Sequence, residues 1–258
     1  MKLMGILNVT PDSFSDGGRF NDPRNALKRI EEMRLAGADI IDIGAESTFG
    51  PEAQVTAEEE WERLEPVLKK VDLHKIFVSL DTTKAEVAEK GLRLGVSMIN
   101  DVTSLRADPT MKKVLLRYTP YVCLMYSRNE TAYATRTNYQ YEDVIKTIAM
   151  FLKEKTDSLI QDGFPAKKIV IDPGLGFFLS SDPQVSWEVL ERLSELKKLS
   201  FPILVGPSMK SFLGGEIQQR LPKSLEAARM AVKNGASILR VHHLAETKEA
   251  LQKSPNLL

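Results

Sequence analysis

Short apolar runs alternate along the chain with longer stretches of helical periodicity. Each run is rich in isoleucine and valine or nearly continuous in hydrophobicity, which is typical of parallel strands buried on both faces. Eight runs show this pattern: LMGILN at 3–8, DIIDIG at 39–44, IFVSLD at 76–81, SMIND at 97–101, YVCLM at 121–125, KIVID at 168–172, FPILVG at 201–206 and SILRVH at 237–242.

Helix-start patterns fall between these runs. Aspartate followed by proline combines an N-cap residue with a proline suited to the first helical turn. Threonine followed three residues later by glutamate has the spacing of a capping box. The starts predicted in this way are Asp22-Pro23, Thr56 with Glu59, Thr83 with Glu86, and Asp108-Pro109. Helical periodicity also covers about 141–162 and the segments after positions 182, 221 and 245.

The regular alternation predicts one fold for the whole chain. Eight strand–helix units in 258 residues fit a (β/α)8 TIM barrel, a single domain over 1–258 with its site at the C-terminal ends of the strands. A doubly wound open sheet is the alternative. The first strand–helix turn carries no G-x-G-x-x-G sequence, which argues against the dinucleotide-binding version of that sheet.

Composition and charge narrow the class of protein. The hydrophobic content of 43% can fill a large core, and 35 basic residues balance 35 acidic ones, so no general field attracts nucleic acid or an anionic membrane. No apolar segment approaches the roughly 20 residues of a membrane-spanning helix, and the N-terminal apolar run is too short for a signal peptide. We therefore expect a cytoplasmic protein. Cys123, within an apolar run, is predicted to be a buried structural thiol rather than a nucleophile.

Polar side chains end seven of the eight apolar runs. A single aspartate after a strand is usually a turn former or an N-cap, but capping explains Asn100, Lys210 and Arg240 poorly. In a barrel these ends gather on one face, so we expect the side chains to form a site there. They are Asn8, Asp42 with Glu46, Asp81, Asn100 with Asp101, Asp172, Ser208 with Lys210 and Ser211, and Arg240 with His242.

This set divides chemically into two groups. Asp81, Asn100 and Asp172 offer acceptors and an amide, which suit a flat heterocycle with several N–H and C=O edges. Arg240 and His242, with backbone N–H groups of the nearby loops, suit phosphate. The end of the fifth run, Met125-Tyr126-Ser127, is the least distinctive.

Seven sequence blocks resemble dihydropteroate synthase, in that family's order and over nearly the whole chain. The pterin-binding barrel relatives of the family, such as folate-dependent methyltransferases, do not typically carry the first block. The blocks are ILNVTPDSFSDGG at 6–18, GADIIDIGAEST at 37–48, DTTKAEVAEKGL at 81–92, IND at 99–101, IDPGLGF at 171–177, VGPSMKSF at 205–212 and LRVH at 239–242.

The resemblance implies a reaction and roles for the strand-end residues. Dihydropterin pyrophosphate would lose diphosphate, and the amine of p-aminobenzoate would attack the exposed methylene carbon to give dihydropteroate. The implied roles are Asn8 on Mg2+; Arg240 and His242 on the diphosphate; Asp81, Asn100, Asp172 and Lys210 on the pterin; Ser211 and Phe177 on p-aminobenzoate; and Thr48 and Met125 as further substrate contacts.

The resemblance also implies features beyond these contacts. Asp172, Lys210 and Asn8 would take part in the chemistry, and the loops at about 9–21 and 45–55 would close over the site. A homodimer and sulfonamides as possible ligands follow from the family as well. A departing diphosphate leaves positive charge on the pterin methylene. The protein therefore needs cations for the leaving group and a site that excludes water, rather than a nucleophile of its own.

Several positions depart from the family's usual sequence. The losses cluster on the p-aminobenzoate side, so altered second-substrate binding competes with drift that retains activity. The departures are Phe49, Tyr126, Met209, which replaces an arginine, and His243. The GFFL stretch at 176–179 and ATRTNYQYED at 134–143 resemble the sulfonamide-insensitive, plasmid-borne branch.

Two alternative functions remain open from the sequence. One is a pterin-phosphate-binding barrel that has lost p-aminobenzoate chemistry. The other is an aldolase-type barrel that uses Lys210 as a Schiff base. Lys210 is predicted to lie in a loop rather than inside a strand, which argues against the second.

Overall fold

The computed structural model describes residues 1–10, 23–46 and 55–253. In this part of the chain, eight strands alternate with eight α-helices. The strands are β1 (Lys2–Asn8), β2 (Ile40–Gly44), β3 (Val78–Asp81), β4 (Met98–Asp101), β5 (Tyr121–Met125), β6 (Ile169–Asp172), β7 (Leu204–Val205) and β8 (Ile238–Val241). The helices are α1 (Pro23–Leu35), α2 (Ala57–Leu68), α3 (Ala85–Leu94), α4 (Met111–Tyr118), α5 (Val144–Gln161), α6 (Pro183–Glu191), α7 (Leu221–Lys233) and α8 (Leu244–Gln252).

All neighbouring strands are parallel, and the sheet closes on itself. The strand order is β6-β5-β4-β3-β2-β1-β8-β7. A parallel bridge between Ile171 of β6 and Ile203, just before β7, joins the two ends of this order. The Ile171 N–H donates to the Pro202 carbonyl at 3.0 Å across the same seam. The (β/α)8 barrel is thereby confirmed, and the doubly wound open sheet is excluded.

The bottom of the barrel interior is apolar. Met4, Ile40, Met98, Cys123, Val170, Leu204 and Ile238 form one buried cluster there, with Phe77 packed against it. The prediction for Cys123 is confirmed, because the thiol is free and fully buried, and burial raises its pKa well above the usual value. A protonated thiol inside the barrel is a packing group rather than a nucleophile.

The alternation of side chains along each strand places polar residues in the barrel interior, above this apolar layer. Side chains of a strand point to alternate faces, so residues two positions beyond the apolar layer also point inward. Asp42 follows Ile40 in this way, Asn100 follows Met98, Asp172 follows Val170 and Arg240 follows Ile238. A polar layer therefore lies on top of an apolar one.

Of the two predicted capping boxes, one is present and the other is absent. Thr56 and Glu59 form the predicted capping box, with the Glu59 N–H donating to Thr56 Oγ1 at 3.1 Å. The capping box predicted at Thr83 is absent, because Lys84 is the N-cap of α3 and makes no side-chain capping bond. The N–H at the helix start donates instead to Asp108 Oδ2 at 2.8 Å. This carboxylate comes from the next strand–helix loop, beyond the reach of a local pattern.

The helices cover the outside of the barrel and supply most of the larger hydrophobic core. Ile30, Leu64 and Ile148 are examples of helix residues in the cluster that also contains the outward-facing residues of the strands. Among the helices that the structure describes, none has the length and apolar character needed to cross a membrane.

Candidate active site at the barrel mouth

An ion-pair cluster lies at the centre of the mouth. Arg240 on β8 donates through Nε to Asp42 Oδ2 and through Nη2 to Asp81 Oδ2, both at 2.6 Å. Asn100 Nδ2 donates to the same Asp42 oxygen at 3.2 Å. Burial opposes the charge of Arg240, but the two carboxylates outweigh it and raise the pKa of the guanidinium. Four strands, β2, β3, β4 and β8, thus bring their predicted polar ends into direct contact.

Asp81 is the carboxylate of this cluster with a strongly perturbed pKa. Burial is the main cause, and Asp42 adds to it, while Arg240 opposes both. The net result raises the pKa of Asp81 to about 7. Strongly perturbed pKa values are common for groups in functional sites.

Asp172 and Lys210 form the second charged group of the mouth. Burial raises the pKa of Asp172 to about 6 against the opposing charge of Lys210. Burial likewise lowers the pKa of Lys210 to about 8, although Asp172 favours its charged form. Lys210 Nζ donates to the Leu175 carbonyl at 3.2 Å and lies 4.8 Å from the centre of the Phe178 ring. The prediction that Lys210 lies in a loop is confirmed, since it follows β7 and precedes a short 3₁₀ helix.

A glycine fixes the turn that carries Asp172. Gly174 has φ +69°, and its N–H donates to Asp172 Oδ1 at 2.7 Å. A Cβ at this position would lie 2.3 Å from the carbonyl oxygen of Tyr126. Only glycine combines this conformation with so close an approach of two backbones. The Asp-Pro-Gly sequence therefore holds the carboxylate in one orientation.

Asn8 and His242 line a cavity of about 470 Å³ between β1 and α1. Lys28, Arg29 and Glu32 also line it, and Arg29 Nη2 donates to the His242 carbonyl at 3.4 Å. Burial and the nearby Arg240 lower the pKa of His242 to about 4, so its ring is neutral at pH 7. The ring nitrogen Nδ1 lies 3.1 Å from Ser208 Oγ. A neutral imidazole acts here by hydrogen bonding rather than by charge.

Two loops are bonded together on the other side of the mouth. The segment between β5 and α5 lies along the segment that follows β6, through backbone and side-chain hydrogen bonds of 2.9–3.0 Å. Arg136 lies over the ring of Phe177, with 5.4 Å between the guanidinium carbon and the ring centre. The paired donors and acceptors are Arg128 with Phe178, Tyr139 with Ser180, Tyr141 with Leu179, and Ser181 with Thr137.

The sequence does not predict a further charged cluster, which surrounds Glu46 after β2. Lys84 Nζ lies 2.6 Å from Glu46 and 2.7 Å from Glu60, a carboxylate buried on α2 whose pKa is raised by that burial. Tyr133 donates its hydroxyl to Glu46 Oε1 at 2.6 Å, and the Val55 N–H donates to the same oxygen at 3.3 Å. The cluster ties together the ends of three strand–helix loops.

The structure brings most of the predicted site residues to one end of the barrel. Asn8 is exposed, and Ser211 is half-buried at the start of the 3₁₀ helix Ser211–Leu213. Met125 differs, because its side chain is buried in a cluster with Val102, Ala132 and Phe178. Thr48 and Phe49 lie outside the described residues, as do most of the two loops predicted to close over the site.

Met209 also has an unusual conformation. Its φ of +61° is in the left-handed region, and its N–H donates to Ser224 Oγ on α7 at 3.0 Å. Arg220 Nη1 donates to the Met209 carbonyl at 2.9 Å. Both backbone polar groups are thus bonded, which stabilises a conformation that residues other than glycine rarely adopt.

Comparisons with known proteins give one consistent result. The family model for pterin binding enzymes matches residues 4–242. A dihydropteroate synthase of Neisseria meningitidis serogroup B is 38% identical over 259 residues, which cover 97% of this chain and 90% of that protein. The structure of a dihydropteroate synthase from Clostridium difficile in the presence of pteroic acid superposes with a TM-score of 0.89 at 41% identity, covering 98% and 95% of the two chains. That of Xanthomonas albilineans with 4-aminobenzoic acid superposes with a TM-score of 0.89 at 34% identity, covering 98% and 92%.

Proposed function

The chain belongs to the pterin binding enzyme family, and on this premise we propose roles for the side chains at the mouth of its barrel. Its activity is that of a dihydropteroate synthase, a transferase of folate synthesis. The reaction condenses 6-hydroxymethyl-7,8-dihydropterin pyrophosphate with p-aminobenzoate to give 7,8-dihydropteroate and diphosphate. The observation that carries the assignment of roles is the meeting of carboxylates, an amide and two cations from six strand ends at one mouth.

The pterin ring is assigned to Asp81, Asn100, Asp172 and Lys210. Lys210 Nζ donates to the carbonyl of Leu175 at 3.2 Å, in the loop that follows Asp172 on β6. Pterin presents N–H donors and ring acceptors along its edges. Two carboxylates can accept from the donors, while the amide and the ammonium group can donate to the acceptors. Asn100 and Asp172 are buried, and the low effective dielectric constant of a protein interior strengthens hydrogen bonds to such groups.

The diphosphate is assigned to Arg240 and His242. The guanidinium supplies the positive charge, and the neutral imidazole can donate one N–H to a phosphate oxygen. Asn8, exposed in the same cavity as His242, is placed beside the phosphates. A metal bound there would neutralise negative charge on the leaving group.

Asn8 fits Mg2+ as a single protein ligand. Mg2+ prefers oxygen donors and usually combines one or two protein ligands with substrate phosphates and water. The carboxamide of Asn8 offers one such oxygen at an exposed strand end. Within the described residues, no group of three or more His, Cys, Asp and Glu side chains could hold a metal by itself. The donor set therefore suits a metal that arrives with the diphosphate.

p-Aminobenzoate is assigned to the side of the mouth formed by Phe177 and Ser211. The Phe177 ring is half-buried and can pack against an aromatic ring, and the Ser211 hydroxyl can donate to a carboxylate. Thr48, outside the described residues, stays a predicted contact. Met125 is 4% exposed, so we place it in the wall behind the pocket, where it supports Phe178.

The residues of the chain act on this reaction by binding and charge. The bond between the methylene carbon and the diphosphate oxygen breaks, and the electron pair leaves with the diphosphate held by Arg240. The Asp172 carboxylate stabilises the positive charge that develops on the pterin. The amine of p-aminobenzoate then attacks the methylene carbon to form the new C–N bond, and the proton that the amine loses passes to the released diphosphate. Lys210 keeps the pterin in place throughout.

The family membership also suggests a domain organisation, an oligomeric state, a cellular location and a further class of ligand. We propose that 1–258 is one pterin-binding domain, that the protein forms a homodimer, and that it acts in the cytoplasm. Sulfonamides are proposed as ligands that compete with p-aminobenzoate. Sedimentation velocity and competition calorimetry would test the dimer and the sulfonamides.

A direct assay tests the proposed assignment. The purified protein is mixed with the pterin pyrophosphate and Mg2+, and binding is measured by calorimetry. p-Aminobenzoate is then added, and diphosphate and dihydropteroate are quantified. Equal amounts of both products support the proposal, whereas binding without product would mean that the mouth has lost its second-substrate chemistry. In parallel, the wild type and Lys210→Met are each treated with borohydride in the presence of the substrates. If neither protein gains a trapped adduct, a Schiff base on Lys210 is excluded.

A further inference from the structure

We propose that Asp42 is a positioning residue that orients Arg240 toward the diphosphate of the pterin substrate. This inference rests on the proposed function of Arg240. Asp42 is fully buried, so it does not touch the substrate itself. Its effect must pass through the guanidinium that it contacts at 2.6 Å.

The contacts of Arg240 use one edge of the guanidinium. Nε and Nη2 lie on the same side of this planar group, and they are bonded to Asp42 and Asp81. Within the described residues, no hydrogen bond reaches Nη1. The carboxylates thus hold the edge formed by Nε and Nη2, while Nη1 can still donate to a ligand. An arginine held in this way presents its remaining N–H groups to an anion in a fixed geometry.

The two carboxylates differ in what else they can do. Asp81 is 18% exposed at the side chain and is also assigned to the pterin, so its contact with Arg240 competes with the substrate. Asp42 has 0% exposure and accepts from Asn100 as well as from Arg240, through the same Oδ2 atom. Its contact therefore persists when the pterin enters, and it keeps the guanidinium in place.

The second oxygen of Asp42 indicates that the buried carboxylate destabilises the folded protein. Oδ1 is buried and, among the described residues, has no hydrogen-bond partner. A buried carboxylate with an unpaired oxygen destabilises a protein, and neutral replacements of buried ion pairs are often harmless to stability. Asparagine would preserve the shape and one acceptor, but it would leave the buried charge of Arg240 with Asp81 as its remaining carboxylate partner. The full charge is therefore better explained by the orientation of Arg240 than by packing.

Two ligands separate a positioning role from a structural one. One is the pterin pyrophosphate with Mg2+, and the other is pteroic acid, which has no phosphate. For Asp42→Asn we expect the affinity for the pyrophosphate to fall at least about tenfold, the scale of one charge-assisted hydrogen bond. The affinity for pteroic acid should change less than about threefold, because the side-chain oxygen of an asparagine at position 42 can still accept from Asn100 Nδ2. In steady state, KM for the pterin substrate should rise while KM for p-aminobenzoate does not.

Controls make the test specific. Ser79 pairs with Asp42 in the register of β2 and β3, is equally buried, and its Oγ has no partner among the described residues. Ser79→Ala should leave both affinities unchanged. In a double-mutant cycle, Asp42→Asn should have no further effect on pyrophosphate binding once Arg240→Gln is present, because the group it orients is gone.

The outcomes decide the proposal. Selective, non-additive loss of pyrophosphate binding supports it. Equal loss for both ligands, or additive effects of the two substitutions, would overturn it, and so would failure of both Asp42→Asn and Asp42→Ser to fold. A wild-type protein that binds neither ligand would instead contradict the proposed function. The two failures are therefore distinguishable.

Discussion

Asp172→Asn removes one charge from the mouth and little else. The carboxylate is 7% exposed, and its Oδ1 accepts the Gly174 N–H at 2.7 Å. An asparagine oxygen can accept the same bond, because the two side chains have the same shape. The turn fixed by glycine should therefore remain, and the substitution tests the charge alone.

The expected size of the effect follows from the kind of bond that is lost. A hydrogen bond to a charged acceptor contributes about 1.5–3 kcal/mol. Since about 1.4 kcal/mol corresponds to a tenfold change, pteroic acid should bind about 10- to 100-fold more weakly. Lys210 also loses a group that favours its charged form, so the pKa of Lys210 falls below its wild-type value of about 8. The loss should therefore be largest at neutral and higher pH.

The effect of Asp172→Asn on binding and on stability should depend on pH in a defined direction. The pKa of wild-type Asp172 is about 6, so at pH 5 most of the wild-type side chain is protonated and resembles the asparagine. The ratio of the two dissociation constants should fall toward 1 as the pH drops from 8 to 5. Because the folded pKa lies above the ordinary value of 3.8, the charge destabilises the folded wild type increasingly as pH rises from 4 to 6. The variant should escape this loss.

Calorimetry with pteroic acid at pH 5 and pH 8, with melting curves at both, measures these effects. Asp157→Asn on the exposed surface of α5, where Asp157 pairs with Lys153, is a matched control and should change neither affinity. Equal affinity of Asp172→Asn and wild type within twofold at pH 8 would refute the reasoning. So would a ratio that does not depend on pH.

Other perturbations test the remaining contacts. Lys210→Met should weaken pteroic acid binding at least about tenfold at pH 7, and the difference should shrink above pH 8, where the wild-type amine loses its proton; equal weakening at pH 7 and pH 9.5 would contradict this. Arg136→Ala should raise KM for p-aminobenzoate and leave KM for the pterin substrate unchanged, since the guanidinium lies over Phe177; steady-state kinetics with no change in either value would count against the placement of that ring. Tyr133→Phe removes the 2.6 Å bond to Glu46 and should lower the melting temperature by about 2–4 °C, the effect of about 1 kcal/mol in a protein of this size; an unchanged melting temperature would argue that the bond contributes nothing. Removal of Mg2+ with a chelator should weaken binding of the pterin pyrophosphate and spare pteroic acid, and calorimetry showing equal loss of both would contradict the role given to the metal.

The sequence predicts the structure where side chains alternate along a strand with a short repeat. Strands buried on both faces have continuous apolar runs, and the alternation of side chains places Asp42, Asn100 and Arg240 two residues above the apolar layer. The fold and the gathering of strand ends at one mouth can therefore be predicted. That Arg240 contacts two carboxylates at once depends on the register of three strands, which the pattern does not contain.

The sequence is less informative where distant loops meet. The start of α3 is bonded to Asp108 from another loop, so the local pattern at Thr83 led to a wrong capping box. The contact of Tyr133 with Glu46 joins residues 87 positions apart. Such contacts depend on loop conformation and on the closed shape of the barrel. Neither of these produces a repeating pattern of residues in the sequence.

The most direct test of the central claim is the yield of product at the barrel mouth. The protein is incubated with the pterin pyrophosphate, Mg2+ and p-aminobenzoate, and diphosphate and 7,8-dihydropteroate are measured together over time. We predict equal amounts of the two products, formed only when p-aminobenzoate is present, and strongly reduced for Asp172→Asn. A protein that binds the pterin pyrophosphate and forms no dihydropteroate would contradict the claim.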